Sequence, residues 1–203
     1  LEKIIDSGVK KVVTRQKFTA VIKEDGSLWT FGTNYQGQLG NGTQLDSSFP
    51  VQIESSGVVD ASTYSEQTIY VKSDGSLWGM GRNHIKMLQN TNQANYLSPV
   101  RIAESGVTKA VVAYWHIIYL KEDGSVWGRG SNTYGQLGQL EGTIYGDPVQ
   151  IIAKGAVDIV AGGQWSMILM EDGKILSLGQ NNHGQLGTGQ PVQYLTPQKL
   201  PNI

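Results

Sequence analysis

The sequence contains no cysteine, which excludes disulfides, thiolate metal ligands and cysteine nucleophiles. It also lacks a charge excess: 16 Lys and Arg stand against 17 Asp and Glu, a formal net charge of −1. Proteins that bind nucleic acid by neutralising phosphates carry a clear basic surplus, so no nucleic-acid partner is expected. No apolar run approaches the roughly 18 residues of a membrane-spanning helix, so no membrane partner is expected. No charged-then-apolar leader opens the chain, so no signal peptide is expected in it. The first residue is Leu1, which points to a processed, cut or partial chain. Finally, no segment sustains a 3.6-residue apolar period, which predicts very little helix.

What the chain does have is glycine, 26 of 203 residues, laid down with a period. Asp25-Gly26, Asp74-Gly75, Asp123-Gly124 and Asp172-Gly173 follow one another at 49 residues without insertion. Gly32, Gly81, Gly130 and Gly179 keep the same step. So do Asn34, Asn83, Asn132 and Asn181, the prolines Pro50, Pro99, Pro148 and Pro197, and the aliphatics Ile53, Ile102, Ile151 and Leu200. Unrelated residue types held in one frame define an internal repeat, with units at approximately 4–52, 53–101, 102–150 and 151–199 of a single repeat domain, 1–203.

Each unit reads as short strands. An apolar triplet (Ala20-Val21-Ile22, Ile69-Tyr70-Val71, Ile118-Tyr119-Leu120, Met167-Ile168-Leu169) precedes each Asp-Gly, as in a strand buried on both faces. Asp-Gly supplies the φ > 0 positions of a tight hairpin. The return strand (Leu28-Trp29, Leu77-Trp78, Val126-Trp127, Ile175-Leu176) ends at the glycine column, where the chain must bend or approach a neighbour closely. Another strand precedes the hairpin, and a short fourth follows each column proline, where no ladder donor is lost. Four short antiparallel strands per 49 residues is the pattern of a propeller blade. One such blade cannot bury both faces, so neighbours must stack. The expected fold class is therefore all-β, a β-propeller.

The run from Lys23-Glu24-Asp25-Gly26 through Trp29-Thr30-Phe31-Gly32-Thr33-Asn34 to Gly37-Gln38-Leu39-Gly40 resembles the regulator of chromosome condensation repeat family. Gly135-Gln136-Leu137-Gly138 and Gly184-Gln185-Leu186-Gly187 repeat its last element. The resemblance implies a propeller, usually of seven blades, which at this period needs roughly 340 residues. The frame starts at Ile4 and stops at Leu200 in the same column. A piece of a longer ring is favoured over a closed four-blade ring or a partial array completed by another copy. The chain also departs from the family. The place before the column glycine, usually Trp, holds Phe31, Met80, Arg129 and Leu178. The second repeat reads Lys86-Met87-Leu88-Gln89, and only His116 matches the family's histidine before the second strand.

Fixed columns are most simply scaffold, so binding is sought where the frame varies. The clearest varying stretch is the link entering the strand before Asp-Gly: Arg15-Gln16-Lys17-Phe18, Tyr64-Ser65-Glu66-Gln67, Ala113-Tyr114-Trp115-His116 and Gly162-Gly163-Gln164-Trp165. In a propeller these loops emerge on one face, and Tyr and Trp there suit an anchor cluster. The candidate partner-binding residues are Phe18, Tyr64, Tyr114, Trp115, His116, Gln164 and Trp165, with packing as the competing role. A second aromatic column, Tyr96, Tyr145 and Tyr194 with Ser47, reads as packing, since three of four copies repeat it. His84, His116 and His183 lie in different columns with no carboxylate at ligand spacing, so no metal is expected. Gly128-Arg129-Gly130 opens no helix, so it is no phosphate cradle. No catalytic constellation is visible; the chain is expected to be no enzyme and to need no cofactor.

The leading expectation is a binding scaffold for a protein partner, completed by further repeats or by a second copy as a homo-oligomer. The resemblance includes secreted bacterial inhibitors of β-lactamase, which favours an extracellular, bacterial setting. One alternative is a guanine nucleotide exchange factor for a small GTPase. The even spacing leaves no room for an inserted wedge loop, and the charge balance argues against chromatin. The other is a carbohydrate-binding propeller, since exposed Trp and Tyr also stack on sugars.

Overall fold

Each Asp-Gly pair makes a turn in which only the glycine takes positive φ, 76° at Gly26 and 75–80° at the other three. In the first repeat the Gly26 amide donates to Lys23 O (2.9 Å) and the Lys23 amide to Ser27 O (3.0 Å). The aspartate stays in an ordinary region and does something else. Asp25 Oδ1 accepts from both the amide (2.9 Å) and the hydroxyl (2.6 Å) of Ser27, whose Oγ in turn accepts from Trp29 Nε1 (2.9 Å). Asp74-Ser76-Trp78 and Asp123-Ser125-Trp127 copy this chain of bonds. The serine hydroxyl, followed by its amide, holds each of these carboxyls below the usual range. Trp two places before its family position therefore closes the turn.

The computed structural model describes residues 3–140 and 143–200. Among them there is no helix, and sixteen strands form four antiparallel sheets of consecutive strands. The first sheet is β1 (Val9–Arg15), β2 (Phe18–Lys23), β3 (Leu28–Gly32) and β4 (Ser47–Glu54). The second is β5 (Val58–Tyr64), β6 (Gln67–Lys72), β7 (Leu77–Arg82) and β8 (Asn95–Ala103). The third is β9 (Val107–Val112), β10 (His116–Lys121), β11 (Val126–Ser131) and β12 (Ile144–Ile152). The fourth is β13 (Ala156–Gly162), β14 (Trp165–Met170), β15 (Ile175–Gly179) and β16 (Tyr194–Lys199).

The last strand of each sheet begins before the column proline, not after it. In the first sheet the register runs Gly32↔Ser47 and then Thr30↔Val51, so Pro50 falls in a bulge where no ladder donor is lost. The same break recurs in the other three sheets. The register also places the second aromatic column. Tyr96, Tyr145 and Tyr194 stand opposite the column glycines Gly81, Gly130 and Gly179.

The sheets fall into two compact units, the first two sheets in one and the last two, with Ile85–Thr91, in the other. In the first unit Ala20, Ile22 and Leu28 pack on Val58, Ala61, Tyr70 and Met80. In the second, Ile118, Leu120 and Val126 pack on Ala156, Ile159, Ile168 and Leu178. Corresponding columns thus make the same interface twice: one sheet's second and third strands against the next sheet's first three. Backbone bonds repeat as well, Val58 N to Gly26 O (2.9 Å) and Ala156 N to Gly124 O (3.0 Å). The expectation of second strands buried on both faces holds for β2, β6 and β10. It fails for β14, whose Leu169 is exposed.

The Gly-Gln-Leu-Gly element is scaffold. Its glutamine turns back to accept the amide two residues earlier, as Gln38 Oε1 does from Gln36 N and Gln136 Oε1 from Tyr134 N, both at 2.9 Å. The column asparagine accepts the leucine amide, Leu39 N to Asn34 Oδ1 and Leu137 N to Asn132 Oδ1, again at 2.9 Å. The glutamine's carbonyl is met by a hydroxyl from the next sheet: Thr68 Oγ1 to Gln38 O (2.8 Å) and Ser166 Oγ to Gln136 O (2.9 Å). The second repeat has Met87 for that glutamine, and the third has Ile117 for that hydroxyl. Both apolar residues are buried; Met87 lacks the side-chain acceptor that turns back on the loop, and Ile117 lacks the hydroxyl donor.

The lost element leaves Lys86 at φ 59°, in the column where Gly37, Gly135 and Gly184 take 73–83°. Arg129 Nε donates to Lys86 O (3.2 Å) and Arg129 Nη2 to Gly146 O, holding this segment in place. A left-handed lysine is strained by about 1–2 kcal/mol, while glycine pays roughly 0.5–1 kcal/mol in chain entropy. Lys86→Gly should therefore raise stability by about 0.5–1 kcal/mol, read as a higher urea midpoint with an unchanged slope.

Candidate interaction loops

The variable links join the first and second strands of each sheet through two residues in the first, second and fourth sheets and three, Ala113 to Trp115, in the third. Gln16 and Ser65 take φ of 56° and 47° there, a conformation that non-glycine residues adopt only when the surroundings impose it. The imposing contact comes from the glycine column. The residue after each column glycine donates its amide to the last loop carbonyl: Thr33 N to Lys17 O (3.0 Å), Arg82 N to Glu66 O (2.9 Å), Ser131 N to Trp115 O (2.7 Å) and Gln180 N to Gln164 O (2.9 Å). A Cβ on Gly130 would sit 2.6 Å from Trp115 O, and one on Gly179 2.5 Å from Gln164 O. The invariant glycines are thus clamps that fix the varying loops.

The seven candidates do not share one fate. Phe18 is 2% and His116 0% exposed. Both sit on the first residue of a second strand, where the side chain points into the sheet's core, and neither is available to a partner. Gln67 of the same column is buried as well, with its Nε2 on Arg82 O (3.1 Å), whereas Trp165, the column's fourth member, is only half-buried. The remaining five line the loops. Tyr114 is exposed and Trp115 half-buried, their rings 4.9 Å apart and tilted by 34°. Gln164 and Trp165 are half-buried, and the Trp165 ring lies against Gly162, where a Cβ would strike it.

In the first unit Tyr64 is half-buried, with the Arg15 guanidinium 5.0 Å above its ring. Sequence reasoning missed what surrounds it. Glu66 accepts the Tyr35 hydroxyl (3.0 Å) and pairs with Arg82 (2.7 Å), tying the loop to the segment after β3. Burial, then the Glu66 bond, raises the Tyr35 hydroxyl above its usual range. The signal was faint: Tyr35 follows a scaffold asparagine, and only its partner 31 residues on gives it a role.

The three histidines stay apart in role. His116 is core. His84 is exposed, and desolvation, followed by the nearby Arg82 charge, lowers its pKa. His183 contributes its backbone amide to Gln185 Oε1 (3.0 Å).

Comparison with known proteins follows the same lines. The model of the regulator of chromosome condensation (RCC1) repeat matches residues 25–67, 123–169 and 172–203, and a second model of that repeat matches 107–136. No curated protein sequence matches the chain. Among solved structures, human WBSCR16 superposes with a TM-score of 0.87 at 21% identity, over 99% of this chain and 55% of that one. Yeast RCC1 (Prp20), solved with Kap60, gives 0.84 at 16% identity, over 96% and 49%. Prp20p of Saccharomyces cerevisiae gives 0.83 at 16% identity, over 96% and 50%. The chain spans about half the length of each, and the likeness establishes the fold: each four-stranded sheet is a propeller blade. With the repeat model covering more than half of its residues, the chain belongs to the RCC1-repeat family.

Proposed function

We propose that the chain is a non-enzymatic protein-binding scaffold that grips its partner through the loops entering each second strand, with Tyr114 and Trp115 as the principal anchors. The observation that carries this reading is the Tyr114–Trp115 pair. Two adjoining aromatic rings stand at least partly in solvent on a three-residue link whose last carbonyl is clamped beside Gly130. Rigid, partly exposed aromatics are the residues that dominate interface energetics, and a clamped turn spares the partner the entropy of ordering it. Gln164 and Trp165 add to this surface within the same unit, and Tyr64 is the corresponding aromatic of the first unit. The structures that share the fold include yeast RCC1 bound to Kap60 and Prp20p with binding properties to Gsp1p and histones, which supports a protein as the partner class.

The test is capture of protein partners by the immobilised chain, compared with a Tyr114→Ala/Trp115→Ala variant of matching circular dichroism. Loss of at least tenfold in affinity is expected, since each such anchor contributes about 2 kcal/mol or more. Unchanged capture by the variant would overturn the assignment. Specific retention on a glycan array, or acceleration of nucleotide release from a small GTPase, would replace it with one of the alternatives.

A further inference from the structure

In the repeat frame a loop glycine after a third strand packs on a leucine of the following sheet's last strand. A Cβ on Gly37 would lie 2.6 Å from Leu97 Cδ2, and one on Gly135 2.5 Å from Leu195 Cα. The pair of these columns that lies between them in the chain is Lys86 and Gly146, so the glycine has changed sides and the leucine is gone. Lys86 and Asn90 come close over Gly146, where a Cβ would lie 3.0 Å from Lys86 Cδ and 2.5 Å from Asn90 Oδ1. They do not fill the room. An open cleft of about 480 Å³ remains between the segment Ile85–Thr91 and β12, inside the unit built from the last two sheets. Clefts of this size hold small molecules or single side chains.

The lining divides between apolar and polar groups. Tyr145, Pro148 and Val149 supply the first kind, and Lys86, Asn90 and Asp147 the second. Asn90 Nδ2 donates to Asp147 Oδ2 (2.9 Å), so the carboxylate is already engaged. Lys86 is half-buried, and its ammonium group has no hydrogen-bond or ion-pair partner among the described residues. Withdrawing such a group from water costs free energy that a bound anion offsets. Behind the wall Arg129, 3% exposed, donates to Lys86 O (3.2 Å) and to Gly146 O. Two cations thus stand against one carboxylate, a balance that suits a monoanion, whereas a dianion would confront Asp147.

Backbone strain points to the same residue. Lys86 holds φ 59° in the column where Gly37, Gly135 and Gly184 stand. The chain keeps a lysine where glycine would be less strained, and strained residues gather at ligand sites.

We propose that this cleft binds a carboxylate carried on a short apolar body, with the carboxylate on Lys86 Nζ and the body against Tyr145, Pro148 and Val149. A free organic acid and the C-terminal residue of a protein chain both present that chemistry. None of the loop residues takes part, so the cleft stands or falls apart from the loop reading.

The experiment is an amide NMR titration of the full chain with benzoate, and with a leucine-terminated tripeptide as its free acid and as its C-terminal amide. Benzoate or the peptide acid should shift the amides of Lys86, Asn90, Gly146 and Asp147, and the tighter of the two identifies the source. The amide-capped peptide should leave them unmoved. Lys86→Gln should weaken binding at least about tenfold, since hydrogen bonds to charged groups are the strong ones, and Lys86→Arg should retain it. Lys86→Gly should lose binding while its urea midpoint rises, which separates contact with the ligand from a structural role. Asp147→Asn should bind more tightly, because a repelling charge is gone. Any of three results would overturn the assignment: neither acid moves these amides, the capped peptide binds as well as the free acid, or Lys86→Gln binds unchanged.

Discussion

Gly130→Ala should lower the stability of the unit built from the last two sheets by about 3–4 kcal/mol. Three effects act together. Gly130 has φ 102°, a region that strains other residues by about 1–3 kcal/mol. The added Cβ would lie 2.6 Å from Trp115 O and 3.0 Å from Met87 Cγ. The carbonyl cannot yield without stretching its bond from Ser131 N, now 2.7 Å, and such a bond contributes about 1 kcal/mol net. Two other glycines of the same unit separate the causes. Gly173 has φ 80° but nothing within 4 Å, so its Ala variant should lose only the conformational part, about 1 kcal/mol or somewhat more. Gly163 has an ordinary φ and open space, so its Ala variant should be neutral or slightly stabilising. Urea midpoints for the three variants, converted with a common slope, check the order. Equal losses at Gly130 and Gly173 would show that the loop carbonyl is not what the column glycine accommodates. The functional corollary is that Gly130→Ala shifts the Tyr114–Trp115 turn, so partner affinity should fall in this variant even where it remains folded.

The frame of this fold was legible because each fixed column answers to a local rule. Asp-Gly, the column glycine two residues before the column asparagine, and the proline all restrict backbone dihedrals, and dihedral restrictions act over two or three residues. They show in sequence without knowledge of neighbours. The strand count and order followed from them, and of the second aromatic column Tyr145 packs against a core cluster. Strand ends were less legible. β4 begins at Ser47 although Pro50 reads as a start, because a bulge can absorb a proline and nothing local announces a bulge.

The candidate site was legible as a set of loops but not residue by residue. Phe18 and His116 adjoin Lys17 and Trp115 in sequence, yet they are buried while those neighbours are not. The reversal follows from the period of two along a strand: the first residue of the second strand already alternates with its neighbours, and its inward direction is set by the sheet. The Glu66 network was invisible because it joins positions 16 and 31 residues away.

Acid should destabilise the protein through His116, by about 2 kcal/mol between pH 7.5 and pH 5. The ring is fully buried and desolvation pushes its pKa down from 6.5 to about 3. Its hydrogen bonds explain why no proton is welcome. Ser166 gives its only hydroxyl proton to Gln136 O (2.9 Å), so it accepts from His116, and Nε2, 2.9 Å away, carries the ring hydrogen. Nδ1 is the bare nitrogen, buried with no protein acceptor near it, and protonating it would bury an unpaired charge. The sign follows from proton uptake on unfolding. Between pH 6.5 and pH 3 the unfolded chain holds this proton and the folded chain does not, so stability falls as pH drops through that window. Each pH unit well inside it removes about 1.4 kcal/mol. Carboxylates with lowered pKa, among them Asp25, Asp74 and Asp123, add losses only toward the acid end, so a variant must isolate the histidine. His116→Gln places in this column the residue that the second repeat carries there, Gln67, and removes the titrating group. Urea unfolding at pH 7.5 and pH 5 should show the wild-type chain losing about 2 kcal/mol more than the variant over that interval. Equal losses would mean that His116 titrates normally and that its ring reaches water in the folded state.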